Sequence, residues 1–283
     1  MITRFAPSPT GLLHLGHAFS ALTAWDMARA AGGQFLLRIE DIDRPRCKPE
    51  FEAAIFRDLG ALGLEWPAPV LRQSERQDAY AAALGRLSDL GLTYPCSCTR
   101  GDIRAALAAP QEGARAAAGP DGPIYPGTCR GRSMHDRHPG DAIRLDMARA
   151  VRITGDIAFE ETGTEPGKHM KPASQMIEDI GDIVLARRDI GTSYHLAVVV
   201  DDSHQAVTHV VRGRDLLGAT PIHVLLQRLL GLPVPVYHHH RLIRDENGKR
   251  LAKRDDARAL ATLFAAGLDA ATIRARLGLP PAL

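Results

Sequence analysis

Aromatic residues are scarce, at 5% of the 283-residue chain, and cysteine occurs only four times. No apolar run approaches the roughly 20 residues that span a bilayer as a helix. The opening "MITRFAPSP" lacks the apolar stretch of a secretory signal. These absences set the expectation of a cytoplasmic protein without a membrane partner, in which Cys47, Cys96, Cys98 and Cys129 form no disulfide framework. A large excess of charge of one sign is also missing. The net charge is +2, so no overall field marks a nucleic-acid binder, and any RNA contact must come from local patches. No internal repeat is visible, and nothing points to a protein partner.

What is present is an ordinary globular composition, 45% hydrophobic and 24% charged, in a chain long enough for one large domain or two smaller ones. "TRFA" reads as a short strand, followed by a Pro/Gly loop and a helix from about His17 to Ala31. "GGQFLLRIED" reads as a turn and a buried strand. "EFEAAIFRDLGALGL" has helical spacing, with Phe51, Ile55, Leu59 and Leu62 on one face. "ERQDAYAAALGRLSDLG" predicts another helix, stopped at Gly91. This alternation predicts an α/β fold with a parallel sheet. The boundaries expected are 1–91 for the first half of that domain, 92–194 for a loop-rich insertion with its own small sheet, 195–235 for the second half and 236–283 for a basic loop and a helical tail. "SYHLAVVVDD" reads as a strongly apolar strand returning to the sheet, and "TPIHVLLQRLLGL" as a helix.

"APSPTGLLHLGHAFSAL" feeds a stiff loop into a helix. Free backbone N–H groups and the positive end of the helix dipole meet there, which suits an anion such as phosphate. Gly11 and Gly16 allow close backbone approach, and His14 and His17 can both donate to phosphoryl oxygens. Two other readings stay open: partly exposed histidines without a ligand, or a metal pair that needs a third ligand. Far along the chain, "GKRLAKRDDA" places Lys249, Arg250, Lys253 and Arg254 on a loop opened by "DENG". Such a loop is either solvated or a clamp for the charge that develops on phosphoryl oxygens.

"HLGH" at 14–17 resembles the HIGH motif of class I aminoacyl-tRNA synthetases, and "RLAKR" at 250–254 resembles their KMSKS loop. "RFAPSPTGLLHLGHA", "LLRIEDIDRPR", "SYHLAVVVDD" and "VTHVVRGRDLL" resemble the glutamyl branch, over nearly the whole chain. The short stretch after the KMSKS-like loop, together with "CSC…YPGTC", resembles the glutamyl-Q tRNA(Asp) synthetases. The resemblance implies a Rossmann-like catalytic domain with a zinc-containing insertion, a short helical C-terminal segment and no anticodon-binding domain. It implies activation of L-glutamate with ATP and Mg(2+), and transfer of glutamate to queuosine in the anticodon of tRNA(Asp). Two rival functions are a truncated glutamyl-tRNA synthetase charging a tRNA 3′ end and a non-catalytic paralogue that binds RNA or glutamate.

The resemblance also implies residue roles. The glutamate site would comprise Arg4, Phe5, Ala6, Pro7, Ser8, Glu40, Tyr194 and Arg212. In it the two arginines would grip carboxylates, Glu40 would meet the α-ammonium and Tyr194 would form a wall. His14, Gly16, His17 and Lys253 would hold ATP, with His14, His17 and Lys253 catalytic. Arg250 and Ala252 depart from the KMSKS pattern, and Val198 stands where glutamyl enzymes usually carry asparagine. Cys96, Cys98 and Cys129 are one ligand short of a closed tetrahedral zinc site. The resemblance supplies Tyr125 as the fourth, with Asp102, His135 and His138 as rivals. Cys47 reads as a non-ligand, and "HHH" at 238–240 as a half-exposed strand leading to the ATP loop. Candidate RNA patches are "RRDIG", "RGRD" and "RDENGKRLAKRDDAR".

Overall fold

The computed structural model describes residues 1–108, 118–243 and 259–282. Lys253 and the whole "RLAKR" segment lie outside the described residues. The chain runs β1 (Ile2–Phe5), α1 (Leu15–Ala30), β2 (Gln34–Ile39), α2 (Pro49–Ala61), β3 (Leu71–Arg72), α3 (Gln77–Asp89), β4 (Thr93–Cys96) and α4 (Arg100–Ala108). It continues as β5 (Ala118–Gly119), β6 (Gly122–Pro123), β7 (Ala142–Leu145), α5 (Met147–Thr154), β8 (Ile157–Glu161), β9 (Gly167–Lys171), α6 (Ala173–Asp179) and β10 (Val184–Ala186). α7 (Tyr194–His204), β11 (His209–Gly213), α8 (Thr220–Leu230), β12 (Val236–His240), α9 (Leu260–Ala265) and α10 (Ala270–Arg276) complete it.

β1, β2 and β3 pair in parallel, and so do β11, β12 and β8, with β9 antiparallel at the edge of that group. The two groups meet where β1 runs beside β11. There the Thr208 N–H donates to the Ile2 carbonyl at 3.0 Å, and Arg4 Nη1 to the Val211 carbonyl at 3.3 Å. The chain leaves β1 toward β2 on one side and β11 toward β12 on the other. That reversal of direction opens a crevice at the carboxyl ends of the strands, where ligands bind in doubly wound sheets.

Small residues let α1 lie close over the sheet. It buries Ala18, Phe19, Ala21, Leu22, Ala24 and Ala28, and Ala24 O accepts from the Thr3 hydroxyl of β1 at 2.8 Å. α2 buries Ile55 and Leu59 as its spacing predicts, whereas Phe51 is only half-buried. One apolar cluster joins α1, β1, β2 and α2 to Leu260, Ile273 and Leu277 of the C-terminal helices; a second joins β8, β11 and β12 to α3, α5, α7 and α8. Each fully buried Leu or Ile contributes about 1.5–3 kcal/mol through apolar burial.

Two expectations are corrected. "SYHLAVVVDD" is the helix α7, capped by Ser193, whose Oγ accepts from the Leu196 N–H. Leu196, Ala197, Val198, Val199, Asp201 and Asp202 are all buried, so the helix shows no polar face, and its run of valines reads like a buried strand. The return to the sheet is made by β11 instead. Secondly, β8 and β9, within the stretch expected to be an insertion, belong to the main sheet: β8 pairs with β12 at Glu161 and Tyr237. The separate small sheet consists of β4, β7 and β10, all antiparallel. Among the described residues no helix is long and apolar enough to cross a membrane.

Candidate active site

A cleft of about 540 Å³ lies at the β1/β11 crevice. It is lined by Arg4, Phe5, Ala6, His14, Gly16, His17, Glu40, Tyr194 and Arg212, joined by Ser20, Asp215, His240 and Ile243. Pro7 stands just behind, its carbonyl accepting from the Glu40 N–H at 3.0 Å. Ser8 lines a smaller adjoining cleft of about 230 Å³, which shares Glu40 and Tyr194 as its wall.

The two histidines form the cap of α1. His14 Nδ1 accepts from the Gly16 N–H at 3.1 Å, and His17 Nδ1 accepts from the His14 N–H at 3.1 Å. A ring nitrogen that accepts carries no proton, so this assignment puts the hydrogen of each neutral ring on Nε2. The rings stack at 3.8 Å. A Cβ on Gly16 would lie 3.0 Å from His14 Cε1, so glycine makes room for the folded-back ring. The pair thus presents two N–H donors at a helix N-terminus, an arrangement suited to phosphoryl oxygens.

The described residues on either side of "RLAKR" converge on this pair. Ile243 lines the cleft. Ala259 bridges to His14, and the Leu260 N–H donates to the Leu13 carbonyl at 2.8 Å.

The two arginines of the cleft differ in what holds them. Arg4 is bound by Asp202, with Nε 3.0 Å from Oδ1 and Nη2 3.4 Å from Oδ2. Arg38, fully buried, also reaches Asp202 at 2.7 Å, and Glu40 at 3.1 Å. Burial disfavours the charge on Asp202, but the two guanidiniums outweigh it and hold the carboxyl below its usual range. On Glu40 burial wins over Arg38 and Arg4 and pushes the carboxyl up. Such a carboxyl gains from the arrival of a cation.

Arg212 has no acidic partner among the described residues. Its Nε donates to His239 Nε2 at 3.1 Å, Nη1 to His223 Nδ1 at 2.9 Å, and Nη2 to Thr220 Oγ1 at 2.8 Å and the Leu216 carbonyl at 3.3 Å. His239 passes the bond on to Glu161 Oε2 at 2.5 Å. Four of the five guanidinium N–H groups are therefore used, all by neutral acceptors, and the charge is left for an anion in the cleft. Tyr194 stands beside this arginine, its ring edge-on to His195 at 5.5 Å and to His223 at 5.6 Å. Burial, first of all, raises its hydroxyl pKa.

The cysteines form a separate cluster. The sulfurs of Cys96, Cys98 and Cys129 lie within 4.8 Å of one another. The Tyr125 hydroxyl is 3.4 Å from Cys96 Sγ and 3.3 Å from Cys98 Sγ, and Cys98 Sγ is 3.5 Å from Cys129 Sγ. A tetrahedral zinc with ordinary bond lengths would space its sulfurs about 3.7 Å apart, and sulfur and oxygen about 3.5 Å. The donor set fits that ion. The rivals do not converge: Asp102 caps α4 through Thr99, with Oδ2 2.7 Å from the Thr99 N–H, and His135 and His138 are exposed. Burial opposes ionisation of Cys129, but hydrogen bonds from Tyr125, Ser97 and Cys98 outweigh it and bring the thiol down to about 6. Arg144 sits 3.9 Å from the Tyr125 ring centroid and donates to Cys96 Sγ at 3.4 Å, adding positive charge beside the sulfurs, while burial, first of all, pushes the Cys98 thiol up.

Other expectations are revised. In "HHH", His238 is half-buried but His239 and His240 are buried, because β12 is an inner strand of the main sheet. In two of the proposed RNA patches Arg187, Arg188 and Arg214 are exposed while also making contacts within the chain, and Arg212 faces the cleft. Arg188 donates to the Cys98 carbonyl at 2.5 Å, Arg187 pairs with Asp189 at 2.8 Å, Arg212 is buried and Arg214 meets Glu165 at 2.8 Å. The third, residues 244–258, lies outside the described residues. Arg38, Asp202, His223 and His195 also belong to the hydrogen-bond network of the cleft, though no motif in the sequence marks them for it. Arg38 alone carried a local signal: it sits two residues from Glu40 at the end of β2, on the same face.

Comparison with known proteins agrees with this geometry. The family model for class I tRNA synthetases (E and Q), catalytic domain, matches residues 1–274. The chain is 61% identical over 283 residues to the glutamyl-Q tRNA(Asp) synthetase of Rhodobacter capsulatus, covering 99% of this chain and 100% of that one. It is 46% identical over 285 residues to the protein of that name from Nocardia farcinica, covering 98% and 85%. Among solved structures, a glutamate tRNA ligase from Elizabethkingia meningosepticum in complex with its amino acid superposes with a TM-score of 0.70 at 30% identity. It covers 90% of this chain, which spans 52% of that ligase. Methionyl-tRNA synthetase of Mycobacterium tuberculosis, at TM-score 0.63 and 11% identity, covers 98% of this chain and 63% of its own and shares the fold alone. A parallel sheet with a histidine-capped helix at its crevice, the family model over residues 1–274 and a relative matched along its whole length at 61% identity place the chain in the glutamyl-Q tRNA(Asp) synthetase family of class I tRNA synthetases.

Proposed function

We propose that the cleft activates L-glutamate with ATP and passes it to the queuosine base in the anticodon of tRNA(Asp), in the cytoplasm. The observation that carries the reading is that one cleft is lined by Arg4, Glu40, Tyr194 and Arg212 together with His14 and His17. Arg212, lacking an acidic partner among the described residues, takes a substrate carboxylate; Arg4, already tied to Asp202, adds its remaining N–H groups. Glu40 meets the α-ammonium. His14 and His17 donate from Nε2 to the ATP phosphates, and Lys253 joins them from the segment whose flanks reach the same pair. An oxygen of the glutamate α-carboxylate attacks the α-phosphorus, the bond to the β-phosphate oxygen breaks, and pyrophosphate leaves. The chain supplies position and charge, not a covalent nucleophile. A hydroxyl of queuosine's cyclopentene diol then attacks the glutamyl carbonyl, losing its proton as AMP departs.

Cys96, Cys98, Tyr125 and Cys129 hold a zinc ion, whose role is to fix the loops around β4 and residues 125–132 where few apolar side chains are available. Magnesium arrives with the nucleotide.

Glutamate-dependent ATP–pyrophosphate exchange without RNA tests the first step. Labelled glutamate offered with queuosine-containing and queuosine-free tRNA(Asp) tests the second. Label on queuosine-containing tRNA(Asp) alone is expected. Label on queuosine-free tRNA(Asp) or on tRNA(Glu) would favour charging of a 3′ end, and absence of exchange would favour a non-catalytic paralogue.

A further inference from the structure

A line of hydrogen bonds leaves Arg212 on the side away from the cleft. Arg212 Nη1 is 2.9 Å from His223 Nδ1. A guanidinium only donates, so His223 accepts at Nδ1 and carries its hydrogen on Nε2. That Nε2 is 3.0 Å from His195 Nδ1, and His195 Nε2 is 2.6 Å from Asp121 Oδ2. A single tautomer choice, hydrogen on Nε2 in both rings, satisfies every bond in the line. Both imidazoles must be neutral for this. Burial first, and then the charge of Arg212, lower the proton affinity of His223 well below that of an ordinary histidine.

Arg212 therefore stands on two imidazoles, each backed by a carboxylate. The arm through His239 ends on Glu161, inside the main sheet. The arm through His223 and His195 ends on Asp121, at the tip of the β5–β6 hairpin, outside that sheet. The hairpin is closely seated. A Cβ on Gly119 would come within 2.6 Å of the Asp179 carbonyl, and one on Gly218 within 3.7 Å of Pro120. Gly218 is two residues before Thr220, whose hydroxyl also holds Arg212.

We propose that this hairpin completes the glutamate site, with Asp121, His195 and His223 as positioning residues that fix the plane of the Arg212 guanidinium for a substrate carboxylate. Because two imidazoles separate Asp121 from Arg212, the arm orients the guanidinium without cancelling its charge. The proposal rests on Arg212 acting as a carboxylate clamp in glutamate activation.

The test is pyrophosphate exchange on the full chain with His223→Leu, His223→Gln and Asp121→Ala, alongside ¹⁵N spectra of the histidine side chains. Gln keeps an acceptor for Arg212 and a donor for His195; Leu keeps neither. Leu at 223 is expected to raise the glutamate KM about tenfold with the ATP KM unchanged, and Gln to stay within about twofold of wild type. Asp121 is half-exposed, so Asp121→Ala is expected to fold normally, raise the glutamate KM about threefold and shift the His195 ¹⁵N resonances. A Gln variant as impaired as the Leu variant overturns the relay. So does an Asp121→Ala protein with wild-type KM and unshifted His195 resonances. Failure of the wild-type chain to exchange at all refutes glutamate activation instead, and the ¹⁵N spectra still read the relay.

Discussion

The Leu260 backbone N–H donates to the Leu13 carbonyl at 2.8 Å, which fastens the start of the C-terminal helices to the residue just before the His14 cap. Leu260 is also fully buried, in the cluster with Ile273 and Leu277. Leu260→Ala should cost about 2–4 kcal/mol of stability in denaturant unfolding. It should also raise the KM for ATP more than that for glutamate, because the flank of the "RLAKR" segment loosens at the histidine pair.

Gly16→Ala should separate catalysis from stability. Alanine is the better helix former, so thermal unfolding should hardly change. Its Cβ would press on the His14 ring at 3.0–3.1 Å and turn it away from His17. Exchange activity should fall about tenfold or more, with the loss expressed in ATP binding or kcat. An unchanged ATP KM and kcat would remove the stacked pair from the nucleotide site.

Arg4 and Arg212 should fail in different ways. Removing the Arg4 head in Arg4→Met leaves buried Asp202 with Arg38 as its remaining ion pair, at a stability cost of about 2–3 kcal/mol. Arg212→Met leaves only neutral groups behind, so its cost in unfolding should be smaller, while the glutamate KM should rise by about 100-fold or more. Equal stability losses with equal KM effects would contradict this division.

Metal content should follow the cysteine cluster. The purified chain should carry one equivalent of zinc by elemental analysis, and Cys96→Ser or Cys129→Ser should lose most of it. Tyr125→Phe should retain zinc that a chelator strips faster. Equal rates of zinc loss from the wild type and from Tyr125→Phe would exclude the phenol as a ligand.

Stability should decline as pH falls below about 6.5. Burial, first in each case, lowers the pKa of His223, His239 and His240 in the folded chain. The unfolded chain then binds more protons below 6.5, so stability fully present above that pH is progressively lost on acidification. Asp202 and Glu161, both lowered, extend the loss below their usual values of 3.8 and 4.5. Glu40, raised by burial, has the opposite sign: its ionisation at neutral pH opposes folding. Thermal midpoints should drop as the pH is lowered from 7.5 to 5; a flat profile would mean that the three imidazoles are solvated.

The parts of the site legible in the sequence were those built from neighbours. The His14–Gly16–His17 cap closes within four residues, and the three cysteines with Tyr125 fall in two short segments. α7 carries a strand-like pattern because Val198, Val199 and most of their neighbours are buried, which erases the helical period. Asp202 was invisible as the anchor of Arg4 and Arg38 because nothing near it in the chain shows what it touches.

By itself the sequence determined the alternation of strands and helices, the donors at the mouth of α1 and the residue types of the cysteine cluster, since periodicity, caps and short spacings are local properties of the chain. Only the tertiary structure decided that Arg4 is tied to an acid while Arg212 meets neutral acceptors, and that a hydrogen-bond line through two imidazoles joins Arg212 to a distant hairpin. Those outcomes depend on which buried polar groups come within hydrogen-bonding reach across the fold, where an unmade bond is costly.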